Sequence, residues 1–258
     1  MNSTLIRLSA LILVFTLSGC ASMQSSSDAQ RSRRISEANL QLGIAFMQRG
    51  DLDTAMAKLK KAVQEDPDSA SANGAIAVLY DRIGETQLAD KHFKRALRLS
   101  PDDPQTHNNY GEYLCRKGEY TRAVEQFNDA ANEPLYPGIA AALTNAGVCA
   151  AKIPDPKQAE GYFRKALDHD PNFPYALLQM ANLMLTNGNY LAARAYIQRF
   201  DDVSAPTAES LWLGVRIENK LGDKNASGNY ALQLKNKFPA TKQAESLREW
   251  ENDQHLQQ

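Results

Sequence analysis

Three cysteines and four histidines are the side chains of this 258-residue sequence from which site chemistry would first be expected. His92, His107, His169 and His255 lie far apart, and none has an HExxH or other metal-ligand spacing. There is no GxSxG elbow, no phosphate-cradling glycine loop and no CxxC pair. The paired acids Asp102-Asp103 and Asp201-Asp202 fall at turns between helical stretches, where carboxylates serve as caps. No catalytic residue, metal or non-covalent cofactor is assigned, and the residue set argues against an enzyme. Lys and Arg number 29 against 30 Asp and Glu, a net charge of −1, so no nucleic-acid partner is indicated. Binding to another polypeptide is the class of function left.

The elements that would present such a surface recur at a fixed period. Leu42-Gly43, Phe46, Gly50, Ala55, Leu59, Ala62 and Pro67 are followed 34 residues on by Ile76-Ala77, Tyr80, Gly84, Ala89, Phe93, Ala96 and Pro101. Tyr110-Gly111, Leu114, Gly118, Ala123, Phe127 and Ala130 continue the pattern. Small residues sit where two helices must approach closely, and the larger apolar residues fill the space between them at helical spacing. Gly50, Gly84 and Gly118 are suited to the left-handed conformation that ends a helix, each followed by an acidic residue that favours the next start. The unit is a helix–turn–helix.

This pattern is similar to the tetratricopeptide repeat (TPR). The packing residues Gly43, Ala77, Gly111, Gly147, Ala181 and Gly214 are spaced by 34, 34, 36, 34 and 33. The resemblance implies an all-α superhelical solenoid of six repeats, at 36–69, 70–103, 104–137, 140–173, 174–206 and 207–240. Residues 241–258 supply a capping helix and tail, with Lys242 to Trp250 reading as the helix. No composition break divides residues 36–240, so one continuous core is expected. The 36-residue step is taken up by Glu133-Pro134-Leu135-Tyr136-Pro137-Gly138, a turn-rich loop.

Residues 1–19 read as a signal peptide: Arg7 precedes a ten-residue apolar run, Leu8 to Leu17, too short to span a bilayer. Leu17-Ser18-Gly19-Cys20 resembles the lipobox of bacterial lipoproteins, in which the cysteine is acylated and the chain is cut before it. Ala21 follows, not the Asp that favours inner-membrane retention in such lipoproteins. The resemblance implies a covalent lipid on Cys20 and an outer-membrane anchor facing the periplasm. Residues 20–35 read as the lipidated end and a flexible, polar linker, whose Arg31, Arg33 and Arg34 fit two readings, contact with anionic lipid headgroups or plain solvation.

In an oxidising periplasm the other two cysteines gain a meaning. Cys115 and Cys149 lie on the first helices of repeats three and four, which are neighbours in such a stack. Two states fit: a disulfide stapling these repeats, or two buried free thiols.

First helices are expected to line the concave side of the stack. The expected partner-binding groove comprises Leu40, Ile44 and Met47 in repeat one, Val78 in repeat two, Asn108, Asn109 and Glu112 in repeat three, and Asn145 in repeat four. Asp81, Arg82, Arg116, Thr144, Val148, Lys152, Tyr175, Leu178 and Asn182 extend it. Leu40, Ile44 and Met47 form an apolar strip suited to a hydrophobic or amphipathic peptide rather than to a carboxylate clamp.

A lipobox, a short polar link, six repeats and the Cys115/Cys149 pair together resemble the type IV pilus biogenesis lipoproteins, the PilF/PilW pilotin family. That resemblance implies a non-catalytic chaperone-like role, with the groove holding a subunit of the pilus secretin while the acyl chains carry the pair to the outer membrane. The protein is expected to be monomeric alone. A β-barrel assembly lipoprotein and a cell-wall-associated scaffold are the alternative readings.

Overall fold

The structure, a computed structural model, describes residues 27–153 and 157–255. Thirteen helices and no strand occur among them. Helix α1 covers residues 27–48 and pairs in sequence with α2 (Leu52–Glu65). The further pairs are α3 (Ala70–Arg82) with α4 (Thr86–Leu99), α5 (Pro104–Arg116) with α6 (Tyr120–Ala131), and α7 (Ile139–Ala150) with α8 (Lys157–His169). Then come α9 (Pro174–Thr186) with α10 (Tyr190–Val203), α11 (Ala208–Leu221) with α12 (Lys224–Lys237), and finally α13 (Lys242–His255). Six helix–turn–helix repeats and a terminal helix are therefore present.

The small residues do what the pattern requires. A Cβ on Gly43 would lie 2.6 Å from Leu59, on Gly111 2.7 Å from Phe127, on Gly147 2.5 Å from Phe163, and on Gly214 2.7 Å from Tyr230. Each partner is the apolar residue of the second helix in the same repeat, so glycine is what allows the two backbones to close on it. The turn glycines Gly50, Gly84, Gly118, Gly188 and Gly222 all have φ between 77° and 82°. The Asp51 carboxylate accepts from the Thr54 amide, and Asn189 and Asp223 cap α10 and α12 in the same way. Glu85 and Glu119 make no such cap bond, because their side chains are one methylene longer.

The chain divides into two compact units, the first ending at Asn109 and the second beginning at Tyr110. This corrects the expectation of one unbroken core: the division falls inside α5, where composition gives no sign of it. In the first unit, α3 packs on α2 and α4. In the second, α7 packs on α6 and α8, α9 on α10, and α11 on α12; the first helices α7, α9 and α11 also lie side by side. α13 closes the second unit by laying Ala244 and Leu247 against Leu211, Val215, Ala231 and Leu234.

Three further expectations change. Residues 27–35, read as flexible linker, are helical and continue α1. Ala29, Gln30, Arg31, Arg33 and Arg34 are good helix formers. The Ser32 hydroxyl donates to Glu65 and that of Ser36 to the Ala62 carbonyl, which ties this extension to α2. Asp201-Asp202 lies within α10 rather than in a turn, and Asp201 accepts from the Tyr230 hydroxyl at 2.5 Å. Leu42, expected to pack, is 46% exposed, although the equivalent Ile76, Met180 and Leu213 are buried. Those three have a preceding repeat to cover them, whereas no repeat precedes Leu42 among the described residues. Residues 1–26, with the signal peptide and Cys20, lie outside the described residues.

Candidate protein-binding face

Helical geometry sorts the first-helix positions once they are counted from the packing small residue of each repeat. Three residues before it stand Leu40, Gly74, Asn108, Thr144, Leu178 and Leu211, and every one is buried. A Cβ on Gly74 would meet the Thr106 hydroxyl of α5 at 3.2 Å, so this position faces the next first helix. Four residues after the small residue stand Met47 and Cys115. Cys115 is joined to Cys149 of α7 in a disulfide with a Cα–Cα distance of 5.9 Å, so this position also points at the following repeat. Between these two rows runs the open face, at positions two before, one after and five after the small residue. It is a stripe of i, i+3, i+7 spacing.

This sorting corrects part of the expected groove. Leu40, Met47 and Asn108 are buried between helices and cannot line it. The apolar side chains of Leu40 and Met47 serve packing within the first unit. Ile44 and Val78 in the first unit, and Glu112 and Asn145 in the second, are half-exposed on the open stripe, as is Asn109. In the first unit the Arg82 guanidinium donates to the Met47 carbonyl at 3.2 Å, bracing two neighbouring first helices. Leu178 is buried for the same reason as Leu40.

In the second unit the stripe opens into two clefts that share Val148. One, of about 360 Å³, is lined by Glu112, Cys115, Arg116, Phe127, Asn145, Val148, Cys149 and Tyr175. Its polar groups are largely committed: the Asn145 amide donates to the Glu112 carboxylate at 3.2 Å, and Glu112 lies 3.8 Å from Arg116. Burial, aided by Glu209 and Glu112, pushes the Tyr175 phenol above the ordinary tyrosine range, so the ring stays neutral. The disulfide forms part of the wall and fixes the approach of α5 to α7 at this point.

The second cleft, of about 420 Å³, lies between α7 and α9. Val148, Ala151, Phe163 and Leu183 give it an apolar floor, and Lys152, Gln179, Asn182, Thr186 and Asn187 a polar rim. Primary amides both donate and accept, which suits the backbone of an extended chain. Gln179, Thr186 and Asn187 were not anticipated from sequence. Gln179 lies three residues before Asn182 and Thr186 four after it, the spacing that defines the open stripe, whereas Asn187 is the C-cap of α9. Among the described residues no group of three or more His, Cys, Asp or Glu is placed to hold a metal, and no helix is long and apolar enough to cross a membrane.

Comparison with known proteins agrees with this architecture. Family models described as tetratricopeptide repeat match residues 37–69, 75–138 and 155–203. The type IV pilus assembly protein PilF of Pseudomonas aeruginosa is 32% identical over 233 residues, which is 89% of this chain and 92% of that protein. The solved structure of Pseudomonas aeruginosa PilF superposes with a TM-score of 0.74 over 84% of this chain and 98% of that one. PilW, described as a widely conserved type IV pilus biogenesis factor, gives a TM-score of 0.75 at 29% identity, covering 83% of this chain and 98% of its own. YrrB, a TPR protein with an unusual peptide-binding site, is 17% identical with a TM-score of 0.53, a likeness of fold alone.

Proposed function

Because this chain belongs to the PilF/PilW family of tetratricopeptide-repeat proteins, which places it in type IV pilus biogenesis, we propose that it acts as the pilotin of that system. In this reading it is a non-catalytic scaffold. The open face of the second unit holds an extended segment of a secretin subunit, and a lipid on Cys20 draws the pair to the outer membrane. Each buried methylene of an acyl chain contributes about 0.8 kcal/mol, so several chains on one cysteine make a lasting tether. Subunits delivered this way would gather and assemble at one surface.

The observation that carries the reading is the match to PilF along nearly the full length of both chains. The amide-rimmed cleft between α7 and α9 supports it, since it offers an apolar floor for a side chain and partners for a peptide backbone. Loss of the gene is expected to remove pilus fibres and heat-stable secretin multimers while porin levels stay normal. Loss of porins instead would favour the β-barrel assembly reading. Val148→Asp puts a charge on the floor shared by both clefts and should cut capture of purified secretin subunit at least about tenfold, with unchanged circular dichroism. Capture at the native level by that variant would remove the face from the mechanism. Cys20→Ala should abolish incorporation of labelled fatty acid and leave the protein in the soluble periplasmic fraction.

A further inference from the structure

The two clefts differ in charge, and the difference selects the kind of segment each can grip. The α5–α7 cleft carries both signs of charge, with Glu112 and Arg116 paired across 3.8 Å. Tyr175 on its wall sits in the field of Glu112 and Glu209. The α7–α9 cleft carries one charge among its described lining residues, the ammonium of Lys152, and no carboxylate. Lys152 is exposed, follows the end of α7, and stands over the same floor as Val148 and Leu183.

Resting on the groove reading, we infer that the α7–α9 cleft takes an extended partner segment in which an aliphatic side chain lies beside an Asp or Glu. The aliphatic group packs against Val148 and Leu183, the carboxylate meets Lys152, and the Gln179 and Asn182 amides pair with the segment's backbone. The cleft's volume of about 420 Å³ admits a short segment and excludes a folded domain. Amide groups accept either sign of neighbour, so among the described lining residues the discrimination falls to Lys152. A carboxylate is attracted there and a basic side chain repelled.

The test uses overlapping peptides of about 15 residues covering the secretin, arrayed on a membrane and probed with the full chain purified in detergent. Retained peptides are expected to share an aliphatic residue next to Asp or Glu. Lys152→Glu should lose those spots by at least about tenfold and gain basic ones, a 1.4 kcal/mol change being tenfold. Lys152→Gln should fall between, with helical content and melting unchanged in both variants. Retention that ignores acidic residues, or a pattern unaltered in Lys152→Glu, overturns the assignment but spares the groove, provided Val148→Asp still clears the array. An array blank with the native chain overturns the groove reading together with this one.

Discussion

Leu40 in the first repeat and Val148 in the fourth are both aliphatic residues on first helices, and the fold uses them for different purposes. Leu40 lies three residues before its packing glycine and is 3% exposed, sealed between neighbouring helices. Val148 lies one residue after its glycine and is half-exposed, forming the floor of two clefts. A displacement of four positions, about one turn plus 40°, separates a strut from a docking surface. The two compact units differ in kind as well. The first is held by apolar packing and by polar ties such as Arg82 to the Met47 carbonyl, while the second adds a covalent staple between neighbouring first helices.

The largest expected effect breaks the contrast at its apolar end. Leu40→Asp buries an unpaired charge and should cost the first unit more than about 4 kcal/mol, read as loss of hydrogen-exchange protection in α1 to α4. If that variant instead folds normally and fails only in partner capture, Leu40 lines a groove after all.

Next comes the staple. Replacing Cys115 and Cys149 by Ser should lower stability of the second unit by about 2–4 kcal/mol, with reductant producing the same shift in the native chain. Trp212 and Trp250, the two tryptophans of the chain, both belong to the second unit, so their fluorescence reports it selectively. A native chain that already titrates two thiols when denatured would show that no bond forms.

The smallest effect concerns the first unit alone. His92 stacks on Tyr80 with ring centroids 5.5 Å apart, and its Nδ1 lies 2.9 Å from Asn73 Oδ1. Burial, with Lys91 adding repulsion, holds its pKa below the ordinary imidazole value of 6.5. The unfolded chain therefore binds the proton more readily than the folded one. The associated stability is complete above about pH 6.5 and is given up as pH falls through the depressed value. Protection factors in α3 and α4, corrected for the intrinsic slowing of amide exchange with acidification, should fall as pH drops below about 6.5, and His92→Gln should flatten that response. An equal response in that variant would assign the effect elsewhere.

The packing glycines and the turn glycines were legible because each answers a local constraint: Gly147 must clear Phe163, and Gly188 must adopt a positive φ of 77°. The binding face was legible in part. Ile44, Val78, Asn109, Glu112 and Asn145 fall on the open stripe, but Leu40, Met47 and Asn108 were misplaced because neighbouring helices cover both flanks of that stripe. An apolar residue reads alike whether it meets a neighbouring repeat or a partner chain. The helical start of α1 is not legible in the sequence for a related reason. Ser32 and Ser36 resemble linker residues until α2 is placed opposite them as acceptor.

The amino-acid sequence by itself determined the repeat, its period, the helix ends and the small-to-large contacts within each helix pair. These depend on residues close in the chain and on steric rules that need no knowledge of the remainder. Tertiary structure alone decided which first-helix positions stay open, that Cys115 and Cys149 come within bonding reach, and where the chain divides into two units. The physical reason is that exposure of a helix flank is a property of its neighbours, and neighbours some 34 residues away are set only when one repeat is laid on the next.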